Sequence, residues 1–164
     1  MKYFLSLLLL LSTIFANADA PLQAPKVIRR ENLNKTFTAV SDPKKGTVIL
    51  RTDGKEMWRI PAWFRDFYIA NDGVYFVSTY WGMDLIPLDY KTNLVLMTFW
   101  KNGKIIKEVP IKELVTSKDV LVRTASHYLW GTVEGLNKDD LLTVRRADGV
   151  IFLYNIKTGN QIKH

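Results

Sequence analysis

The sequence contains no cysteine and only two histidines among 164 residues. Without cysteine there can be no disulfide, no thiol nucleophile, no thiolate zinc site and no lipid-modified N-terminal cysteine. Two histidines leave too little for a multi-histidine metal centre, so neither a metal nor a cofactor is expected. A phosphate-binding loop is also missing: Gly131-Thr132-Val133-Glu134-Gly135 lacks the Gly-Lys-Ser/Thr ending. There is no Gly-x-Ser-x-Gly elbow and no long amphipathic helical pattern. Beyond the first fifteen residues every apolar run is cut by charges or turn residues, well short of the ~20 residues of a membrane span. What remains is 48% hydrophobic and 12% aromatic, with a formal charge of +7. That is too apolar for a disordered chain and large enough to bury a core.

The N-terminus reads as an export signal. Lys2 is followed by an apolar run, Phe4 to Phe15, broken only by Ser6, Ser12 and Thr13. Ala16-Asn17-Ala18 then supplies a small-x-small cleavage site. Cleavage after Ala18 is expected, because a cut after Ala20 would leave Pro21 next to it. Residues 1–18 are therefore a signal peptide and residues 19–164 a single β-rich domain. The expected location is periplasmic or secreted. With no disulfide available, stability there must come from packing.

Four Asp-Gly or Asn-Gly pairs punctuate the rest: Asp53-Gly54, Asp72-Gly73, Asn102-Gly103 and Asp148-Gly149. Such pairs between β-rich runs signal hairpins. The flanking runs are 47–52 and 56–60, 66–70 and 74–80, 94–100 and 104–109, 141–146 and 150–156. An earlier hairpin is expected from 26–30 and 35–40, and one more strand over 126–133. Residues 94–100 and 150–156 are apolar on both faces, which predicts central strands. Lys107 and Glu108 suit an edge strand. Pro110, Ile111, Leu114 and Val115 predict a short helix over 110–115. Strands without intervening helices predict antiparallel pairing.

Ile69-Ala70-Asn71-Asp72-Gly73-Val74-Tyr75-Phe76-Val77 is similar to the first half of a β-propeller blade. Arg146 to Asn155, leading to Thr158-Gly159, resembles a blade's closing hairpin. Residues 94–160 resemble uncharacterised exported bacterial proteins, through Asn102-Gly103, Glu113-Leu114-Val115, Ser126-His127, Trp130 and Thr158-Gly159. The resemblance implies a β-rich exported domain and no particular activity. At about 40–45 residues per blade the chain holds about three blades, below the usual four to eight. The expected fold is therefore all-β, with antiparallel hairpins forming an open propeller-like sheet stack or a sandwich.

Candidate chemistry is sparse. Ser126 and His127 are neighbours, and adjacent residues on a strand point to opposite faces, so they are not expected to meet. Asn137, Asp139 and Asp140 could hold calcium but lack the full loop spacing, so a solvated turn is expected. Lys101, Lys104 and Lys107 could form a patch for a polyanion. The fullest signal is aromatic density over residues 58–100. Most of it must be core, yet two connections are unusually apolar for loops. They are Pro61-Ala62-Trp63-Phe64 and the stretch from Trp81 to Tyr90.

The expected binding residues are Trp63, Trp81, Asp84, Leu85, Asp89 and Tyr90, with no catalytic residue. The leading expectation is a non-enzymatic envelope module that binds a protein partner or itself. The alternative is a carbohydrate binder or weak glycoside hydrolase using exposed aromatics and Asp. Nucleic acid is not expected as a partner.

Overall fold

β-Branched and aromatic runs between tight turns form strands here for the usual reason: their side chains pack on a pleated surface. The computed structural model describes residues 22–162. The expected leader and its cleavage site lie outside the described residues. Among the described residues, fifteen strands form four sheets. Sheet I runs β1 (Ile28–Glu31), β2 (Phe37–Asp42), β3 (Gly46–Arg51), β4 (Glu56–Ile60). Sheet II runs β5 (Phe67–Ile69), β6 (Tyr75–Thr79), β8 (Val95–Lys101), β9 (Lys104–Pro110). Between β6 and β8 the chain makes β7 (Leu85–Pro87). That strand joins β11 (His127–Leu129) and β10 (Val122–Arg123) in a small three-stranded sheet. Sheet III runs β12 (Gly131–Leu136), β13 (Leu141–Arg146), β14 (Ile151–Asn155), β15 (Gln161–Ile162). Every ladder is antiparallel. The fold is all-β, and the sheets do not close on themselves.

All four expected turns form and join β3–β4, β5–β6, β8–β9 and β13–β14. At Asn102-Gly103 both residues have positive φ, 49° and 77°. That is the backbone of a two-residue hairpin whose twist matches its strands. Lys101 and Lys104 face each other across it.

Sheet II lies between the other two large sheets. Alternation along β6 and β8 sends one set of side chains each way. Phe76 joins Ala39, Ile49, Ile60, Phe67 and Ile69 in a core against sheet I. Val77 and Phe99 join Leu142, Val144 and Tyr154 in a larger core against sheet III. Ile86, Leu114, Leu121 and Trp130 close that second core. The expected central position of 94–100 is thus met, because β8 is covered on both faces. β9 is an edge strand, as its charges predicted.

Three expectations need correction. Residues 126–133 do not form one strand. The chain leaves the small sheet after Leu129 and enters sheet III at Gly131. Gly131 has φ 152°, and a Cβ there would sit 2.3 Å from the Arg145 carbonyl oxygen. Only glycine lets the strand start so close to β13. Second, no α-helix forms over 110–115. A single 3-10 turn, Ile111–Glu113, takes its place. Ile111, Leu114 and Val115 all bury around that one turn, and Ser117 then caps a second short 3-10 turn, Lys118–Val120. Third, β14 is interior in its sheet but covered on one face only. Phe152 and Tyr154 pack inward, while Ile151 is 49% exposed.

The first strands of the three large sheets converge. On β1, Arg30 donates from Nη1 to the Phe67 carbonyl at 2.6 Å, and its Nη2 pairs with Asp66 at 2.9 Å. Its guanidinium carbon lies 4.5 Å from the Tyr68 ring centroid. The Tyr68 hydroxyl donates to the Val133 carbonyl of β12 at 3.1 Å. Burial, and then the Asp66 carboxylate, push that hydroxyl above the usual phenol range. It therefore stays protonated as a donor.

Candidate functional site

The apolar connector of residues 81–90 does two jobs. Its centre is structural: Ile86 is fully buried, and β7 adds a strand to the small sheet. Its start is a tight turn, closed by the Met83 N–H donating to the Tyr80 carbonyl at 2.9 Å. Gly82 is buried there, with no room for a Cβ beside the Tyr80 ring. The turn carries Trp81 outward, leaving it 62% exposed. The Tyr80 and Trp81 rings lie 5.6 Å apart and tilted, forming a two-ring wall. Burial raises the Tyr80 hydroxyl above its ordinary pKa.

A groove lies on each side of that wall. One, of about 280 Å³, runs toward the small sheet and is bounded by Leu22, Tyr80, Trp81, Leu85, Pro87 and His127. The other, of about 300 Å³, lies on the sheet I side of sheet II between Trp63 and Trp81. Its floor includes Ser78, Thr98, Leu96 and Glu108. Trp63 is held in place: its indole N–H donates to the Lys26 carbonyl at 2.9 Å, and Arg65 lies 5.2 Å from its ring centroid. Volumes near 300 Å³ sit at the small end of ligand pockets. Each groove suits one or two large side chains, or one sugar ring, rather than an extended cofactor.

Trp63, Trp81 and Leu85 thus border adjoining grooves. Asp84, Asp89 and Tyr90 do not join them. Asp84 faces the opposite side, beside Asp66, Trp130 and Thr132, and its carbonyl accepts the Trp130 backbone N–H at 3.0 Å. Asp89 is exposed in the turn after β7. Tyr90 packs edge-on against Tyr128 at 6.2 Å, with the Lys118 ammonium near both rings. The basic patch is also divided. Lys101 and Lys104 are exposed at the β8–β9 tip. Lys107 lies along β9 with its ammonium 3.5 Å from the Glu113 carboxylate.

Ser126 and His127 do meet, against the sequence reading. Ser126 sits in the bend before β11, not on the strand, and its Oγ lies 2.9 Å from His127 Nδ1. Asn137 organises a turn, accepting the N–H groups of Asp139 and Leu141. Asp140 is buried and accepts from Asn71 through both the backbone N–H and the side-chain amide, at 2.9 and 3.0 Å. It ties the β12–β13 turn to the β5–β6 turn. Among the described residues no cluster of His, Asp and Glu could hold a metal. No helix among them is long and apolar enough to cross a membrane.

Sequence reasoning missed Tyr80, Pro87 and His127 as groove residues. Tyr80 was available from its place beside Trp81. His127 reaches the groove only because β11 pairs with β7 across some forty intervening residues, which no local pattern reveals. No family model matches the chain, and no curated protein matches it either.

Proposed function

We propose that this chain is an exported envelope protein, a non-enzymatic module that binds a protein partner through the grooves beside Trp81. We also propose that its large sheets are blades of an open propeller-like stack. The export signal of residues 1–18 supports the location. Successive antiparallel sheets packed face to face, with their first strands convergent, support the arrangement.

The observation that carries the binding reading is Trp81 itself. A tryptophan 62% exposed on a rigid turn between two largely apolar grooves is costly to leave in water. Aromatic anchors of this kind dominate protein interfaces. Trp81→Gln and Leu85→Gln are expected to abolish capture of a discrete envelope partner while leaving the melting midpoint of the free protein unchanged within a few degrees. A partner captured equally by wild type and both variants would sink the reading, as would the absence of any partner.

A second reading rests on the groove between Trp63 and Trp81. Ser78, Thr98 and Glu108 place polar groups between two indoles. That arrangement suits a sugar ring, with apolar faces on tryptophan and hydroxyls on the floor. Tryptophan fluorescence titrated with a panel of cell-wall glycans separates the two readings. A saturable change lost in Trp63→Ala favours the sugar, and a flat response removes it.

A further inference from the structure

The two end sheets carry an apolar pattern that the single chain does not use. A strand with one face in water normally alternates apolar with polar residues. β8 is apolar on both faces and is covered on both, by sheets I and III. β3 and β14 share that pattern without that cover. In β3, Thr47 and Ile49 point into the core, so Val48 and Leu50 point out. Val48 pairs with Val40 and Leu50 with Thr38 on β2, and Met57 stands 42% exposed on β4 beside them. In β14, Phe152 and Tyr154 point inward, so Ile151 and Leu153 point out, with Thr143 and Ile162 beside Leu153. The charges on these outer faces include an ion pair on each, while Arg29 and Glu31 stand exposed on β1 of the sheet I face. Arg59 pairs with Glu56 at 2.7 Å, and Arg145 with Glu134 at 2.5 Å.

We propose that a second copy of this chain covers both faces, the outer face of sheet III on one copy docking against the outer face of sheet I on the other. Two such contacts related by a two-fold axis close a ring of six large sheets. This rests on the propeller-like reading above, and six lies within the four to eight blades that close. The contact repeats the one already made inside the chain, where sheet I packs on II and II on III. Each face, four strands about 4.8 Å apart and about five residues long, spans roughly 300 Å² in projection. Two contacts of two faces each then remove on the order of 1,200 Å², enough for a stable interface.

The test uses Val48→Glu and Leu153→Lys, both at half-buried outward positions, with light scattering or sedimentation reading the mass in solution. The wild-type chain is expected to be a dimer at micromolar concentration. Each variant alone is expected to be a folded monomer, because each damages both contacts of the ring. Mixing the two is expected to restore a dimer. One contact then sets the introduced carboxylate against the introduced ammonium, and the other keeps the native residues. Unchanged circular dichroism and melting of each variant below the dimer's midpoint establish that the monomers are folded. A wild-type monomer overturns the proposal, as does a filament. Disruption by Leu153→Lys alone, with Val48→Glu still dimeric, overturns it in favour of a like-with-like contact. Trp81→Gln leaves the dimer intact on this proposal, so failure here and failure of the partner-binding reading are separable.

Discussion

At the scale of single residues, three buried side-chain atoms among the described residues have no hydrogen-bond partner: Arg65 Nε, Asn71 Oδ1 and the Tyr154 hydroxyl. Tyr154 is fully buried in the core between sheets II and III, and its hydroxyl has no hydrogen-bond partner. Burial, and then the Glu113 carboxylate, raise its pKa far above the usual phenol value. A buried hydroxyl without a partner costs about 1–3 kcal/mol, while the ring beneath it keeps its packing against Phe99 at 6.0 Å. Tyr154→Phe is therefore expected to raise stability by about 1 kcal/mol, read as a higher urea midpoint with an unchanged slope. A loss of stability would show that the hydroxyl has a partner in solution. Sequence placed Tyr154 on the apolar side of its strand, but it could not show that the hydroxyl would end up without a bond. That depends on which groups sheet II brings opposite it.

Elements show where local pattern suffices and where it does not. The β8–β9 hairpin was legible because Asn102-Gly103 and the runs around it agree, and nothing distant contradicts them. The strand over 126–133 was misread because its apolar pattern runs unbroken through Trp130 and Gly131. The break comes from outside: Trp130 buries against the second core and donates from its indole to the Met83 carbonyl at 2.7 Å. Gly131 then approaches the β13 backbone more closely than any side chain permits. Gly131→Ala is expected to cost about 2–4 kcal/mol, since it adds both a clash and an unfavourable φ. Hydrogen exchange should speed at the β12–β13 ladder. Unchanged protection there would refute the close approach. The 110–115 segment failed as a helix for a related reason. Its three apolar residues satisfy the core around one turn, and extending the helix would carry Ser117 away from the Asp119 N–H that it caps.

At the scale of the whole molecule, sheet II is shared by both cores. Phe76 faces one and Phe99 the other, on neighbouring strands joined through the β6–β8 ladder, where Val77 pairs with Phe99. The two cores should therefore melt together. Phe76→Ala and Phe99→Ala are each expected to cost about 3–5 kcal/mol and to lower one common transition. Two separable transitions by calorimetry would show instead that sheet I folds independently of the rest. The candidate site is also a product of this scale. Trp63 follows sheet I, Trp81 follows β6, and His127 begins β11. Only the packing of sheet I on II and the pairing of β7 with β11 bring them round one turn.

Composition, turn pairs and strand alternation together determined that this chain is all-β, antiparallel and free of cysteine chemistry. These are local or additive properties, and each turn or strand carries its own signal. The tertiary structure decided which apolar residues became core and which became surface. Trp81 and Ile86 lie five residues apart in one apolar connector, and one is exposed while the other is fully buried. Hydrophobicity gives the drive to leave water but not the direction of the neighbour that will provide the cover. That direction comes from which sheet packs on which, so the groove around Trp81 and the uncovered faces of the end sheets exist only in the folded stack.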